Sequence, residues 1–509
     1  MKKALAIISL VIFLSANAFA SPPNKYHLLI APGTLSENSV AILWDKQYAT
    51  TAVQYEVILN GKVYAATTKT NCVITGLCSN TNNDVAVQLK ESKPEATTEI
   101  YWLRFKTPVK EKIYNILDYG AKDDTAFKNT TAIQKAINAC TKGGTVYIPK
   151  GTFLSGALFL KSNMTLYIEK GATLKGAVDV EDYLPMYLNR FEGWELKTYA
   201  SLLNAGTLKR DGSYNVRNLR ITGGGTISGG GKKLGSAMWT TGGERSRGRL
   251  ICLMNCEDVS ISNLTITEPP CWTIHYIYSD NISCHDLNII TINIRNGDGI
   301  DPDSSTDSYI FNCTFDTGDD CIAIKSGKNP EGFFIAKPTK NVRITDCDFI
   351  RGHGISIGSE MSGGIDGVLV QDCKAGALLN GMQIKGTKER GGYVRNVTVA
   401  NCELLQITVF SKLNYNNDGK AAPTPPVFEN FVFKDNDLSK ASLQKPVIDI
   451  NGFSDPAYKL KNVLFTNIIV PENARVVIND AEKIKFVDVK SVSGTKPAYT
   501  VANSIEIDY

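Results

Sequence analysis

Val259-Ser260-Ile261-Ser262-Asn263-Leu264, followed by Ile282-Ser283-Cys284-His285-Asp286-Leu287, sets a pattern that the chain repeats from about residue 215 onward. An apolar alternating run closes on Asn or Asp, and an apolar residue or cysteine comes next. Further copies end at Asn312-Cys313, Asp346-Cys347, Asp372-Cys373 and Asn401-Cys402, with fainter ones at Asp435-Asn436, Asn467-Ile468 and Asp488-Val489. Alternation at period two marks a strand with one buried face. The steps between copies are uneven, none shorter than 21 residues, which fits coils of a β-solenoid with loop insertions better than helical repeats. Stacking such coils predicts an interior ladder of cysteines, with Asn and Asp side chains hydrogen-bonding along the turns. Ordinary alternating strands in a sandwich are the competing reading, and the number of copies disfavours it.

Upstream of the repeat the texture changes. Ile133, Ala136, Ile137 and Cys140 stand at helical spacing behind a possible cap, Asn129, and Gly143-Gly144 ends the run. One apolar helix ahead of a long β region predicts a plug over an open core end. Residues 21 to about 108 carry short strands, Val40-Ala41-Ile42-Leu43-Trp44, Tyr55-Glu56-Val57-Ile58-Leu59 and Val85-Ala86-Val87-Gln88-Leu89, punctuated by Asn60-Gly61 and Asn80-Thr81-Asn82-Asn83. That is the pattern of a small β-sandwich, joined by a linker near 107–112 to a β-helical domain over 113–509. At the start, Lys2 and Lys3 precede the apolar run Ala4 to Ala16, and Ala18-Phe19-Ala20 offers a small-x-small cleavage site, so residues 1–20 read as a secretory signal. Export to the periplasm or the extracellular space is expected. No later stretch approaches the roughly 20 apolar residues of a membrane helix, so no membrane span is expected.

The formal net charge is +4, and +2 after Lys2 and Lys3 leave with the signal. Nucleic acid as a partner is disfavoured, because phosphate binding needs a basic stripe. Many of the 12 cysteines fall on apolar strand positions and read as small hydrophobes. Cys72 and Cys78 are the pair best suited to a disulfide in an exported protein.

Four polar clusters interrupt the repeat in a fixed order: Asn296-Gly297-Asp298-Gly299, Gly318-Asp319-Asp320-Cys321, Gly352-His353-Gly354 and Gln383-Ile384-Lys385. Taken singly, each reads as a turn or a surface group. Adjacent strand side chains point to opposite faces, so one of Asp319 and Asp320 would normally enter the apolar interior unless Gly318 bends the chain and turns both outward. Asp298, Asp319, Asp320 and His353 lie on successive repeats, so one face of a solenoid gathers all four. Lys385 follows one repeat later as a partner for a substrate carboxylate. Glycines around His353 and Lys385 would keep that face low and open. Three carboxylates, an imidazole and an ammonium suit hydrolysis of a glycosidic bond in an acidic sugar polymer.

In order, spacing and context, including Ile355-Ser356-Ile357-Gly358-Ser359-Glu360, these clusters resemble the polygalacturonases of glycoside hydrolase family 28 over roughly residues 113–490. The resemblance implies an all-β, right-handed parallel β-helix, a pectic substrate, an inverting mechanism, and no metal or other cofactor. By it, Asp319 is the general acid, Asp298 and Asp320 are the bases that activate water, and His353 hydrogen-bonds the acid. Repulsion among the carboxylates is expected to raise at least one pKa and help keep an acid protonated. Lys385, Gln383 and Tyr415 fall at substrate-binding positions, and the protein is expected to act as a monomer. The family's pattern has arginine where this chain has Gln383. An amide lacks the charged fork that grips a carboxylate, which points to a neutral sugar on the leaving side, as in rhamnogalacturonan. The sandwich itself resembles a fibronectin type III module, with Trp44 at the core position. Together with Phe191-Glu192-Gly193-Trp194-Glu195 it resembles exo-acting members, in which loops close one end of the groove. A calcium-dependent pectate lyase and a non-catalytic carbohydrate-binding solenoid are the competing classes, and the paired aspartates with histidine favour hydrolysis over both.

Overall fold

A computed structural model of the chain describes residues 26–46, 54–90, 100–411 and 419–509. The expected signal at 1–20 and Tyr415 lie outside the described residues. Residues 113–508 build the right-handed parallel β-helix, a 30-stranded sheet whose strand pairings all run parallel. One column of strands shows the stacking: Val216–Thr222 pairs with Cys256–Thr267, which pairs with Asp280–Ile290, then Thr306–Phe311, Thr339–Thr345 and Ile365–Gln371.

The repeat motif is the corner of each coil. Asn263, Asp286, Asn312, Asp346, Asp372, Asn401, Asp435, Asn467 and Asp488 all take φ between 50° and 56°. Asn and Asp enter that left-handed region most readily among residues with a side chain, because their short polar groups bond locally. Asn467 donates to Asp435 at 2.8 Å, and Asn401 donates to Asp372, so the side chains do bond along the turns. The next residue points inward. Leu264, Leu287, Cys313, Cys347, Cys373, Cys402, Ile468 and Val489 are all buried. The four thiols in this column each donate to the carbonyl two residues earlier, at 3.3–3.4 Å, which removes their polar cost inside the core. Aromatic rings stack in the same way, Phe433 on Phe465 at 4.9 Å and Phe465 on Phe486 at 4.7 Å.

The helix runs over Thr130–Ala139 and buries Ala132, Ile133, Ala136 and Ile137 against the first coil. Asn129 holds the cap position but does not cap. Its amide instead donates to the carbonyls of Lys122 and Phe127 and accepts from the Lys122 N–H, pinning the loop that leads into the helix.

The N-terminal region forms two antiparallel sheets, of three and four strands, around Val40, Ile42, Trp44, Tyr55, Val57, Ile74, Val85 and Val87. The outer face of the smaller sheet packs Ala31, Ala41 and Leu43 on Tyr309 and Phe311 of the solenoid. Asn71 accepts from Asn312 at 2.6 Å and donates to Asp346 at 2.7 Å, and Lys46 pairs with Asp372. The region therefore seats on the column of Asn/Asp corners. All 12 cysteines are free thiols, so the expected Cys72–Cys78 bridge is absent. Cys72 packs against the sandwich core, and the strand through Thr75 carries the chain away at ~3.3 Å per residue, leaving Cys78 exposed.

Candidate active site

Three of the four clusters sit where the regular strands break, and the fourth, Gln383-Ile384-Lys385, closes the strand Lys374–Lys385. Asp319 and Asp320 occupy the bend between strands Thr314–Asp316 and Ile322–Ile324. A side chain on Gly318 would meet the Ile294 carbonyl at 2.5 Å, so glycine permits the close approach of that bend to the coil below. His353 lies where the strand register slips between Gly352 and Gly354, whose φ values are 129° and 93°. These two glycines do more than leave the groove open: a Cβ on either would strike Thr317 or Gly381 at 2.1–2.2 Å. They let the histidine bulge out while the coils stay in contact.

The bends bring together Asp319, Asp320 and His353, whose polar atoms lie within 4.8 Å of one another. His353 Nδ1 is 3.0 Å from Asp319 Oδ1 and 3.7 Å from Asp320 Oδ1. Asn296 Nδ2 donates to Asp319 at 3.5 Å, and Arg247 donates to Asn296 at 2.9 Å. Both aspartates turn to the outer face, toward which Ser356, between the core residues Ile355 and Ile357, also points, but only Asp319 stays partly exposed. Asp320 is buried, and its charge is met by Ser356 Oγ at 2.7 Å and Lys385 Nζ at 3.1 Å. Lys385, expected at a substrate carboxylate, thus pairs directly with Asp320. With an imidazole and an ammonium already on these carboxylates, the cluster carries its own positive charge.

Asp298 sits on the inner side of the cluster, its side chain 5% exposed, with Lys325 Nζ at 3.8 Å. The same ammonium lies 3.5 Å from Asp301 and 3.4 Å from Glu360, and 4.5 Å from the Trp272 ring. Burial, then the charges of Asp301 and Asp319, push the Asp298 carboxyl well above its usual range, against Lys325. Asp319 behaves in the opposite way: burial pushes it up, but the hydrogen bond and charge of His353 and the charge of Lys385 outweigh that and hold it low. His353 is correspondingly raised by its bond to Asp319, against burial. One carboxyl is raised, as expected from mutual repulsion, but it is Asp298 and not the expected acid. Gln383, 7% exposed, lies level with Ser356 and Thr408 on neighbouring coils.

The stretch Phe191-Glu192-Gly193-Trp194-Glu195 is the tip of a hairpin, Tyr187–Phe191 with Trp194–Thr198, turning through Glu192 and Gly193 at φ 47° and 81°. Trp194 donates to the Asn329 carbonyl at 2.9 Å, Arg190 pairs with buried Asp303 at 2.8 Å, and Phe191 stacks on Trp272 at 5.0 Å. The hairpin therefore stands beside the strand that carries Asp301 and Asp303.

Residues 140–447 match the family profile described as glycosyl hydrolases family 28. The chain belongs to this family. Among its relatives, an exo-poly-alpha-D-galacturonosidase of Dickeya chrysanthemi is 26% identical, with 95% of this chain and 93% of the relative covered. The family 28 exopolygalacturonase of Yersinia enterocolitica superimposes with a TM-score of 0.85 at 26% identity, covering 96% of this chain and 98% of the other. A hyperthermoactive exopolygalacturonase from Thermotoga maritima gives 0.62 at 27% identity, covering 74% and 91%. This family 28 chain is a glycosidase.

Two residues of its centre, Asp301 and Lys325, went unnoticed in the sequence, as did the contact of Glu360 with Lys325. Asp301 and Lys325 sit within alternating β-type runs, Ile300-Asp301-Pro302-Asp303 and Ile322-Ala323-Ile324-Lys325, and read as outward strand positions. Their meeting depends on register: Ile300 pairs with Ile322 and Asp303 bridges to Lys325, which sets the lysine beside the aspartates of the preceding coil.

Proposed function

We propose that the chain is an exo-acting polygalacturonase that releases galacturonate units from the end of pectic chains with inversion. In this reading residues 113–509 are the catalytic domain, and 21–108 is a fibronectin type III-like module seated on it. The observation that carries the reading is the pairing of a partly open Asp319–His353 couple with a buried Asp298 on the same cluster. Exo action is supported by likeness to two exo-acting enzymes over nearly the whole chain and by the hairpin beside the site. Export is supported by the signal-like residues 1–20. Among the described residues no helix is long and apolar enough to cross a membrane. We read the protein as a monomer.

Asp319 donates a proton to the departing glycosidic oxygen while Asp298 and Asp320 orient water on the opposite face and Asp298 takes its proton. His353 resolves the low pKa of the acid. The couple titrates as a unit, and its one proton resides on the imidazole in the free enzyme. Substrate that covers Asp319 strips its water, which favours the neutral carboxyl and draws the proton across. Lys385 pairs with Asp320 and offers charge to a substrate carboxylate.

Product analysis on galacturonate oligomers tests the reading. Monomer from the first time point, released with inverted anomeric configuration, is expected. Mixed oligomers reject exo action, and unsaturated ultraviolet-absorbing products reject hydrolysis. Gln383 supports a second reading, a neutral sugar on the leaving side, because its side chain brings no charge to that position. Clear preference for polygalacturonate over rhamnogalacturonan oligosaccharides rejects it.

A further inference from the structure

Asp301 takes no step in the scheme above, yet it is fully buried against Asp298 and Lys325. Neither of its carboxyl oxygens, nor Asp298 Oδ1, receives a hydrogen bond from any described donor. Both carboxyls reach the same ammonium, Asp298 at 3.8 Å and Asp301 at 3.5 Å from Lys325 Nζ, which sets them side by side. Two ionised carboxylates so placed repel, and a proton held between them removes the repulsion. Charge count leads to the same place. Asp298, Asp301 and Glu360 surround the single ammonium of Lys325. Burial pushes Glu360 up, but Lys325, Arg390 and Lys328 hold it down to about 2, so it stays ionised and competes with the aspartates for the ammonium. The two aspartates are left with excess negative charge in a dry site, which a buried pair sheds by keeping a proton.

We propose that Asp298 and Asp301 form a dyad that shares one proton in the resting enzyme, with Lys325 fixing the pair. Asp301 is thereby a positioning residue: the shared proton ties up one oxygen of Asp298 and leaves the other free for water. This rests on Asp298 being the base. As the water oxygen bonds to the anomeric carbon, its proton passes to Asp298, and the glycosidic oxygen leaves with the proton from the Asp319–His353 couple. The dyad then carries two protons and returns one to solvent, while the couple takes one up. The charged groups facing the dyad are Lys325, Arg249, Glu360, Asp319 and Asp320. Burial, countered by Lys325, raises Asp301 to about 7.

Infrared difference spectroscopy without substrate reads the shared proton directly. Asp346 and Asp449 are the other described carboxyls that burial raises, so the measurement uses the Asp346→Asn/Asp449→Asn protein. A carboxylic acid C=O band is expected at pH 6 that fades toward pH 8. Its absence overturns the proposal with no further variant needed. Adding Asp301→Asn, or separately Asp298→Asn, is expected to remove the band, since the remaining carboxylate then has an amide N–H and Lys325 to itself. A band that survives either replacement overturns the dyad. In turnover, Asp301→Asn is expected to lower kcat about tenfold with KM within twofold, a fraction of the ~10²–10⁴ a positioned base contributes. Unchanged kcat at every pH overturns the positioning role. Full activity in Asp298→Asn sinks the base assignment instead, and leaves the infrared result standing, so the two failures are told apart.

Discussion

The two halves of the catalytic cluster use one residue type in opposite surroundings. On the outer half, Asp319 and His353 are 25% and 33% exposed and hold each other as an ion pair at 3.0 Å. On the inner half, Asp298, Asp301 and Lys325 are 5% exposed or less, and carboxyls outnumber the cation. Neighbouring coils thus hold aspartates whose pKa values move apart, the outer one down and the inner one up. An acid and base pair needs the reverse, a raised acid and a lowered base, so the proton of the His353 couple and the neighbours of Asp298 must supply what each role requires. In the proposed mechanism the outer group meets the leaving oxygen and is refilled with protons from water. The inner group works in a dry pocket where its ionisation is under the control of its neighbours.

Replacing the outer acid breaks the comparison most severely. Asp319→Asn is expected to lower kcat at least ~10³-fold, near the upper range for general acid catalysis. The protein stays folded, as circular dichroism will report. Retained activity removes Asp319 from the acid role. Its depressed carboxyl adds stability at neutral pH that is lost as pH falls, so the variant is slightly less stable than the parent at pH 7 and equal to it in strong acid.

Asp298→Asn is expected to cost ~10²-fold or more in kcat, with the opposite effect on stability. A raised folded pKa means the parent's stability is full below the ordinary carboxyl range near ~4 and declines as pH rises. The amide does not ionise. Thermal melts should show the variant more stable than the parent at pH 8 and indistinguishable near pH 4; a loss at pH 8 would mean that Asp298 is a favourable ion-pair partner of Lys325.

His353→Gln sharpens the outer half. The parent's kcat/KM should fall on the alkaline side as His353, raised by Asp319, loses its proton above the ordinary histidine range near ~6.5. The variant should keep the substrate affinity, lose about tenfold or more in kcat, and lack that alkaline limb. An unchanged pH profile would separate the imidazole from the acid's proton.

The smallest effect belongs to the scaffold. Asn467→Ala forces a left-handed corner on a residue with no polar side chain, at φ 51°, and removes the bond to Asp435. A loss of roughly 1–2 kcal/mol in denaturant unfolding, with kcat unchanged, is expected. A change in kcat would show that corner strain reaches the active site.

Much of this was legible in the chain. The alternating runs and their Asn/Asp punctuation identified the corners, since few other residues with a side chain enter left-handed φ at tolerable strain. The cysteine after each corner was rightly placed inside. Four polar clusters on successive repeats pointed to one face, because coils in register stack equivalent positions. Asn129 was located correctly at the helix start, but its amide bonds belong to a loop that sequence periodicity does not describe. The Cys72–Cys78 bridge failed for a related reason, as spacing along the chain says little about where two side chains point.

The sequence by itself determined the coil, the corner and which candidate catalytic groups share a face, because each is a local consequence of period two and of backbone preference. Only the tertiary structure decided which carboxyl is raised. That depends on which charges lie within a few ångströms in a dry site. Lys325 reaches Asp298 from the next coil and His353 reaches Asp319 from the one after it. Neither arrangement is written in the spacing of the residues concerned.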